Sequence, residues 1–221
     1  MSDTTFHGWP AEAITFFEGL EANNTKSYWV EHLDQYNDTV KGPMLALADE
    51  VADEFGPLHL FRPYRDVRFS KDKTPYKTAI GAVTEGEGGE VYYVQLSATG
   101  LMSASGYHMM ASDQIARFRE AVDDDKAGPE LESILAALRK KGYEIGGEAL
   151  KTAPRGYPRD HPRVELLRYK GVTAAKTCPP AAWLATRAAL KRITDVWRGT
   201  QPLSRWLVAQ VGPSTEPPPE R

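Results

Sequence analysis

The sequence predicts an α+β fold: a mainly antiparallel sheet of about four or five strands, covered by helices from both ends of the chain. Two observations support this prediction. Apolar residues recur every three or four positions before residue 55 and after residue 110, as on one face of an amphipathic helix. Between these regions, segments rich in β-branched and aromatic residues alternate with glycine-containing turns, which is typical of consecutive hairpins.

The N-terminal quarter is predicted to be helical. Pro10 suits the first turn of a helix, and the apolar positions 13, 16, 17 and 20 follow at helical spacing. Apolar residues then recur from Trp29 to Val51, which predicts a second, long helix. Gly42-Pro43 interrupts this helix, and we expect Pro43 to begin a new helical segment.

The middle of the chain is predicted to form a meander of strands. Val91–Leu96 is rich in β-forming residues. Gly86–Gly89 links it to a preceding strand over 78–84, and Thr99-Gly100 turns the chain into a strand over 101–107. A further strand is expected over 64–69, with alternate side chains on opposite faces.

The C-terminal half returns to helices. The predicted elements are helices over 113–122, 128–141, 164–169, 181–197 and 203–211, and one strand over 172–178. A chain of 221 residues suits one large domain or two small ones, and because no boundary is evident we expect a single domain over 1–211. The proline-rich residues 212–221 are predicted to be a disordered tail.

Composition limits the class of protein. The net charge is −3 and the pI is about 6.0, whereas general nucleic-acid binders are usually basic, so nucleic acid is not the expected partner. The single cysteine, Cys178, excludes an internal disulfide and a multi-cysteine metal site. The N-terminus lacks signal-peptide features, and no run approaches about 18 apolar residues. We therefore expect a cytoplasmic protein without a membrane-spanning segment.

The segment Arg62–Lys77 is the strongest functional signal in the chain. It holds six cations and two anions, a net charge of +4 in a protein whose total is −3. Concentrated positive charge favours an anionic ligand, substrate or partner. Arginine offers paired hydrogen bonds to phosphate or carboxylate, and lysine offers a point charge. The candidate ligand-binding residues are Arg62, Arg65, Arg68, Lys71, Lys73, Tyr76 and Lys77.

Two interpretations stay open for this segment. On the expected strand, Arg65 shares the core-facing side with Val67 and Phe69, where a guanidinium requires a carboxylate, carbonyl oxygens or a ligand. We expect Arg65 to be largely buried and paired with a carboxylate. The lysines would project from a shaped loop with Tyr76 as a flat platform, although a solvated basic loop explains the same charges.

A second basic segment, Arg155–Lys170, has five cations and two anions, a net charge of +3. If both segments line one cleft, an anionic ligand fits well. His161 is the best candidate for proton transfer, since histidine titrates near neutrality, and the alternative is that it caps the helix after Pro162. No histidines have metal-ligand spacing and no glycine-rich nucleotide motif is present, so we expect no metal and no cofactor.

Four blocks of residues carry a family signature that spans nearly the whole chain. They are Phe16-Phe17 with Asn23-Asn24, Tyr28-Trp29 and His32; Arg62–Lys77; Gly106-Tyr107 with Arg117 and Arg119; and Pro154–Tyr157 with Asp160–Pro162, Leu166-Leu167, Lys170 and, at the end, Pro202-Leu203 and Trp206-Leu207. These blocks resemble an uncharacterised family, domain of unknown function 2461, found in bacteria and fungi. The resemblance implies a single-domain α+β fold and brings no established activity with it.

The sequence therefore favours a protein that binds a small phosphate- or carboxylate-bearing molecule in a cleft built on Arg62–Lys77. No nucleophile or acid–base pair stands out, so the question of enzyme activity stays open. The alternative is an interaction module whose basic loop docks an acidic protein or RNA. A concave pocket lined by Arg65, Arg68 and Lys73 favours the ligand, and a flat or convex basic face favours the module.

We predict weak or undetectable binding of a generic single-stranded RNA at about 0.15 M salt. Outside the two basic segments the chain carries a net charge of −10, which repels a long polyanion, whereas a compact anion feels mainly the local field. A filter-binding salt titration measures this. Sub-micromolar affinity that disappears when Lys71, Lys73 and Lys77 are neutralised would favour the interaction module instead.

Overall fold

The order of helices and strands follows the hydrophobic pattern of the sequence. The computed structural model describes residues 5–68, 70–84 and 89–216. Helices lie at Ala11–Ala22 (α1), Lys26–Glu31 (α2), Leu33–Gln35 (α3), Gly42–Phe55 (α4), Ser112–Asp123 (α5), Ala127–Lys140 (α6), Val164–Leu167 (α7), Ala188–Gly199 (α8) and Gln201–Gln210 (α9). A π-helical segment, Tyr36–Lys41, lies between α3 and α4, and a 3-10 turn covers Ala182–Ala185.

The strands form one sheet. They lie at His59–Leu60 (β1), Ala79–Val83 (β2), Val91–Ser97 (β3), Gly100–Tyr107 (β4), Glu144–Gly146 (β5) and Val172–Cys178 (β6), in the order β1-β2-β3-β4-β6-β5. The pairs β1–β2, β2–β3 and β5–β6 are antiparallel. The predicted α+β class is confirmed.

Two short strands were not predicted from the sequence. Within the described residues the sheet has six strands, and β1 and β5 contain only two and three residues. Segments this short do not show the period-2 alternation that identifies a strand. The predicted turn at Gly86–Gly89 falls largely on residues 85–88, which lie outside the described residues.

The chain forms two compact units. One contains the described residues of 1–84, 93–103 and 177–195, and the other those of 85–92, 104–176 and 196–221. The predicted single domain over 1–211 stays a prediction. Among the described helices, none is both long enough and apolar enough to cross a bilayer.

The N-terminal helices of the first unit follow the predicted apolar face and caps. Pro10 precedes α1, which buries Phe16, Phe17 and Leu20. Thr25 caps α2 by accepting a hydrogen bond from the backbone N–H of Tyr28. The predicted long helix is divided into α2, α3, the π-helical segment and α4, and proline stands in the first turn of α4 as expected.

Helices α5, α6 and α9 pack together in the second unit. The indole N–H of Trp206 donates to the Ala127 carbonyl at 3.1 Å, which fixes α9 on the start of α6. Tyr107 is fully buried, and its hydroxyl has no hydrogen-bond partner among the residues that the structure describes. Burial and the nearby Glu90 carboxylate raise the pKa of Tyr107 to about 12, so its phenol stays protonated near neutrality.

The start of the predicted tail contacts α5. Arg117 donates to the Pro213 carbonyl at 2.7 Å, and Asp113 accepts hydrogen bonds from the Ser214 hydroxyl and the Thr215 backbone N–H. Residues 217–221 lie outside the described residues. The tail boundary at residue 211 stays a prediction.

We predict that Gly106→Ala destabilises the protein more than Gly142→Ala. Both glycines have positive φ, at +134° and +79°, so each alanine adds strain of about 1–2 kcal/mol. A Cβ at residue 106 would stand 2.2 Å from the Val172 carbonyl oxygen, whereas one at residue 142 meets nothing within 4 Å. The overpacking adds about 1–3 kcal/mol. Urea denaturation of both variants measures this, and equal losses would contradict the close approach at Gly106.

Candidate functional site

The basic segment Arg62–Lys77 is a loop closed at its base by a single β-bridge between Tyr64 and Tyr76. The Arg65 N–H donates to the Pro75 carbonyl at 2.9 Å, and the Lys77 N–H donates to the Pro63 carbonyl at 2.8 Å. We call the pairs formed by 63–65 and 75–77 the stem. These hydrogen bonds fix the backbone of Arg65 and Lys77 in position.

The predicted strand over 64–69 is wrong, because the stem does not extend into a ladder. A regular antiparallel pair exchanges two hydrogen bonds at each hydrogen-bonded position. Pro63 and Pro75 have no N–H, so the two flanking positions make one bond each. Residues 65–68 are irregular apart from a bend, and Phe69 lies outside the described residues.

Arg65 is paired as predicted but is not largely buried. Its guanidinium forms an ion pair with Asp72 and donates to the Thr74 hydroxyl, both through the same terminal nitrogen. Its side chain is 31% exposed. Asp72 also accepts hydrogen bonds from the Thr74 backbone N–H and hydroxyl, at 2.9 and 2.8 Å. The pair therefore organises the loop rather than the sheet.

Two other cations of the loop are bound within it. Arg68 makes a paired ion contact with Asp66, with distances of 2.7 to 3.2 Å, and the Lys73 amine donates to the Val67 carbonyl at 2.9 Å. Arg62 and Lys71 are exposed. Much of the positive charge counted in the sequence thus has a partner inside the segment.

Tyr76 is a buried anchor and not the exposed platform that we expected. It is 4% exposed, and its ring stacks on Trp29 with centroids 4.4 Å apart and planes 7° from parallel. Its backbone N–H donates to the Asn24 side-chain oxygen, and its carbonyl accepts from the Asn24 amide, at 3.1 and 3.0 Å. Asn24 and Trp29 therefore fix the stem to the N-terminal helices.

A concave cleft opens beside the stem, with a volume of about 360 Å³. Its lining residues are Phe61, Arg65, Tyr76, Lys77, Thr78, Ala79, Gly81, Tyr93 and Gln95. All belong to the first unit and lie on the stem, on β2, on β3 or, for Phe61 and Thr78, close to the stem in the sequence. Two cations, Arg65 and Lys77, line this cleft, and none of its described lining residues is acidic.

The cleft contains three of the predicted site residues, Arg65, Tyr76 and Lys77. Arg62, Arg68, Lys71 and Lys73 do not line it. Sequence reasoning missed the strand residues. The one signal for them was Gly81, since a glycine inside a strand often marks the close approach of another group.

Cations of the second basic segment bind mainly backbone carbonyls and carboxylates of the second unit. Arg163 donates to the Val122 and Asp123 carbonyls at 2.6 and 2.9 Å, where α5 ends and its dipole favours a cation. Arg168 and Lys170 pair with Glu165 and Glu148. Described residues of this segment do not line the cleft.

His161 has both ring nitrogens engaged. Nδ1 accepts a hydrogen bond from the Arg163 backbone N–H at 3.0 Å, and Nε2 lies 2.9 Å from the Asp123 carboxylate. The side chain is 11% exposed. This geometry favours the alternative role at the start of α7, and proton transfer by His161 stays a prediction. Among the described residues, no group of three or more His, Cys, Asp or Glu could hold a metal ion.

The comparisons with known proteins give a family and no activity. The model of DUF2461, described as a conserved hypothetical protein, matches residues 12–206. The chain belongs to this family. No curated protein and no solved structure matched the chain. The match includes the whole stem and cleft of this DUF2461 protein.

Hydrogen bonds lower the pKa values of both loop carboxylates. The Arg68 side chain, and then its backbone N–H, lower the pKa of Asp66 to about 2. The Thr74 backbone N–H, followed by the Arg65 guanidinium and the Thr74 hydroxyl, lowers the pKa of Asp72 to about 2. Both carboxylates are therefore charged throughout the physiological range.

We predict that the Asp72 carboxyl titrates near pH 2 rather than at its ordinary 3.8. Because the folded-state pKa is lowered, the stabilisation from these hydrogen bonds is complete above about pH 4 and is lost as the pH falls towards 2. NMR titration of the side-chain carboxyl carbon measures this. Arg65→Gln should raise the value in part, since the Thr74 N–H remains, and Arg62→Gln serves as the control. An ordinary pKa for wild-type Asp72 would contradict the described loop.

Proposed function

We propose that this protein binds a small anionic molecule, bearing a phosphate or a carboxylate, in the cleft beside the stem. The observation that supports this most strongly is that Arg65 and Lys77 line one cleft whose described lining residues include no carboxylate. Its volume of about 360 Å³ lies at the low end of ligand sites, which suits a compact molecule.

Arg65 keeps donors for a ligand despite its partner in the loop. One terminal nitrogen contacts Asp72 and Thr74. Since a guanidinium carries five N–H donors, the other nitrogens can form a charge-assisted contact. The Asp72 pair holds the guanidinium in position before a ligand arrives, which lowers the ordering cost of binding.

Lys77 supplies the second charge. Its amine lies 5.2 Å from the centroid of the Phe61 ring, and its backbone is held by the stem. Arg65 and Lys77 together with Asp72 leave a local charge near +1. This matches a single carboxylate or phosphate better than an extended polyanion.

One observation favours a different class of function, the docking of an acidic protein or RNA. Arg62 and Lys71 are exposed on the loop and do not line the cleft. A macromolecular partner would use these exposed cations, whereas a ligand in the cleft would not. No reaction is proposed for this DUF2461 protein, and its cytoplasmic location stays a prediction.

We predict that Lys77→Met weakens anion binding about 10- to 100-fold, the usual effect of losing a charged hydrogen bond. The probes are inorganic pyrophosphate and citrate at low ionic strength, and calorimetry gives the Kd. Methionine keeps the length and apolar contacts of the lysine stem, so the fold should persist. Arg65→Gln should act in the same direction.

Lys71→Met is the matched control, because it removes a cation of the same loop that does not line the cleft. We expect it to leave the Kd unchanged within about twofold at moderate salt, where exposed charges are screened. No binding of either probe at millimolar concentration would overturn the proposal. An equal loss in both lysine variants would favour the docking surface.

A further inference from the structure

Two aromatic rings, Phe61 and Tyr93, line the cleft beside its cations, and we call them the aromatic wall. We propose that its ligand is a planar, ring-bearing carboxylate or phosphate whose ring lies against Phe61 while its acidic group contacts Arg65 and Lys77. This inference rests on the proposed anion site and narrows its ligand class. Three observations lead to it: the exposure of Phe61, the glycine at residue 81, and the orientation of the Gln95 amide.

Phe61 is 45% exposed although it is a large apolar residue. Its backbone N–H donates to the Gly81 carbonyl at 2.9 Å, which fixes it beside β2. Its ring lies 6.3 Å from the ring of Tyr93, at an angle of 40°, and both rings line the cleft. A fixed, partly exposed ring in a concave site is suited to stacking against a flat group.

Gly81 lets the two rings lie against the strand. A Cβ at this position would stand 2.8 Å from the Tyr93 hydroxyl oxygen and 3.3 Å from a Phe61 ring carbon. Gly81 does not have a positive φ, so the backbone itself does not demand glycine. The absence of a side chain is therefore explained by the aromatic wall, which any larger residue would displace.

Gln95 lines the cleft, and the oxygen of its amide is already bound. The Tyr93 hydroxyl donates to the Gln95 side-chain oxygen at 2.8 Å, which directs the oxygen towards Tyr93. Among the described residues, the hydrogen bond given for the Gln95 side chain is through its oxygen, and its amide nitrogen carries two further N–H donors. An acceptor on the ligand ring or on its linker could use them.

Lys77 also contacts the aromatic wall. Lys77 lies over the Phe61 ring at 5.2 Å, within the range of a cation–π contact. A ligand ring on that face of Phe61 would take the place of the ammonium group, which would then contact the acidic group of the ligand instead of the ring. An anion without a ring contacts Lys77 but does not stack on Phe61, so anions with and without a ring should differ in affinity.

The experiment compares phenyl phosphate with inorganic phosphate, by NMR titration of the wild-type protein. We expect phenyl phosphate to bind about tenfold more tightly, with ring-current shifts at Gly81 and nuclear Overhauser contacts between its ring and Phe61. Phe61→Leu keeps an apolar side chain and should reduce the preference to about twofold or less. Gly81→Ala should weaken phenyl phosphate binding, because it displaces Tyr93 and Phe61.

The outcomes separate this inference from the proposed function. If both phosphates bind equally and Lys77→Met weakens both, the anion site stands and the ring-bearing ligand is ruled out. If neither binds at millimolar concentration, both proposals fail. A preference for phenyl phosphate without contacts to Phe61 would also overturn the inference, and this readout does not require a variant to fold.

Discussion

The stack of Trp29 on Tyr76 determines where the basic loop begins and ends. Tyr76 is held from the side by the ring of Trp29 and along its backbone by the Asn24 amide. Because the bridge to Tyr64 is the only β-pair described between the two sides of the loop, the stem depends on this anchor. Arg65 and Lys77 flank the bridge, so the geometry of the cleft follows from a contact made by two buried aromatic rings and one amide.

Three of the six cations in the loop have a described partner within it. Asp66 and Asp72 accept the guanidinium groups of Arg68 and Arg65, and a backbone carbonyl accepts the Lys73 amine. The net charge of +4 already subtracts these two carboxylates, but it does not show which cations are bound within the loop and which line a concave surface. What distinguishes Arg65 and Lys77 is their place on the stem, next to a concave surface, rather than their membership of a basic run.

The helices and the central strands were predictable because their apolar spacing reports directly on the core, as for Phe16, Phe17 and Leu20 in α1. A carboxylate partner of Arg65 was predicted from a core-facing strand position that the structure does not have, and the pair with Asp72 forms within the partly exposed loop instead. The short extent of the pairing at Tyr64 was not predictable. Pro63 and Pro75 each remove one hydrogen bond next to the same bridge, and this is evident only when the register of the two segments is known. Nor was the place of Tyr93 and Gln95 in the site predictable, because their β-forming sequence gives no sign that they line a cleft with Arg65 and Lys77.

The π-helical segment Tyr36–Lys41 has a consequence for how the chain tolerates changes in length. Such a segment behaves as one residue inserted into an α-helix, here marked by the Gly42 N–H donating to the Asn37 carbonyl. Deleting one residue from it would restore α-helical spacing but rotate the preceding turns by about 100° relative to α4. Trp29 would then leave Tyr76. A one-residue deletion here would therefore disconnect the loop from its anchor, so this segment is a point at which insertions and deletions are expected to be selected against.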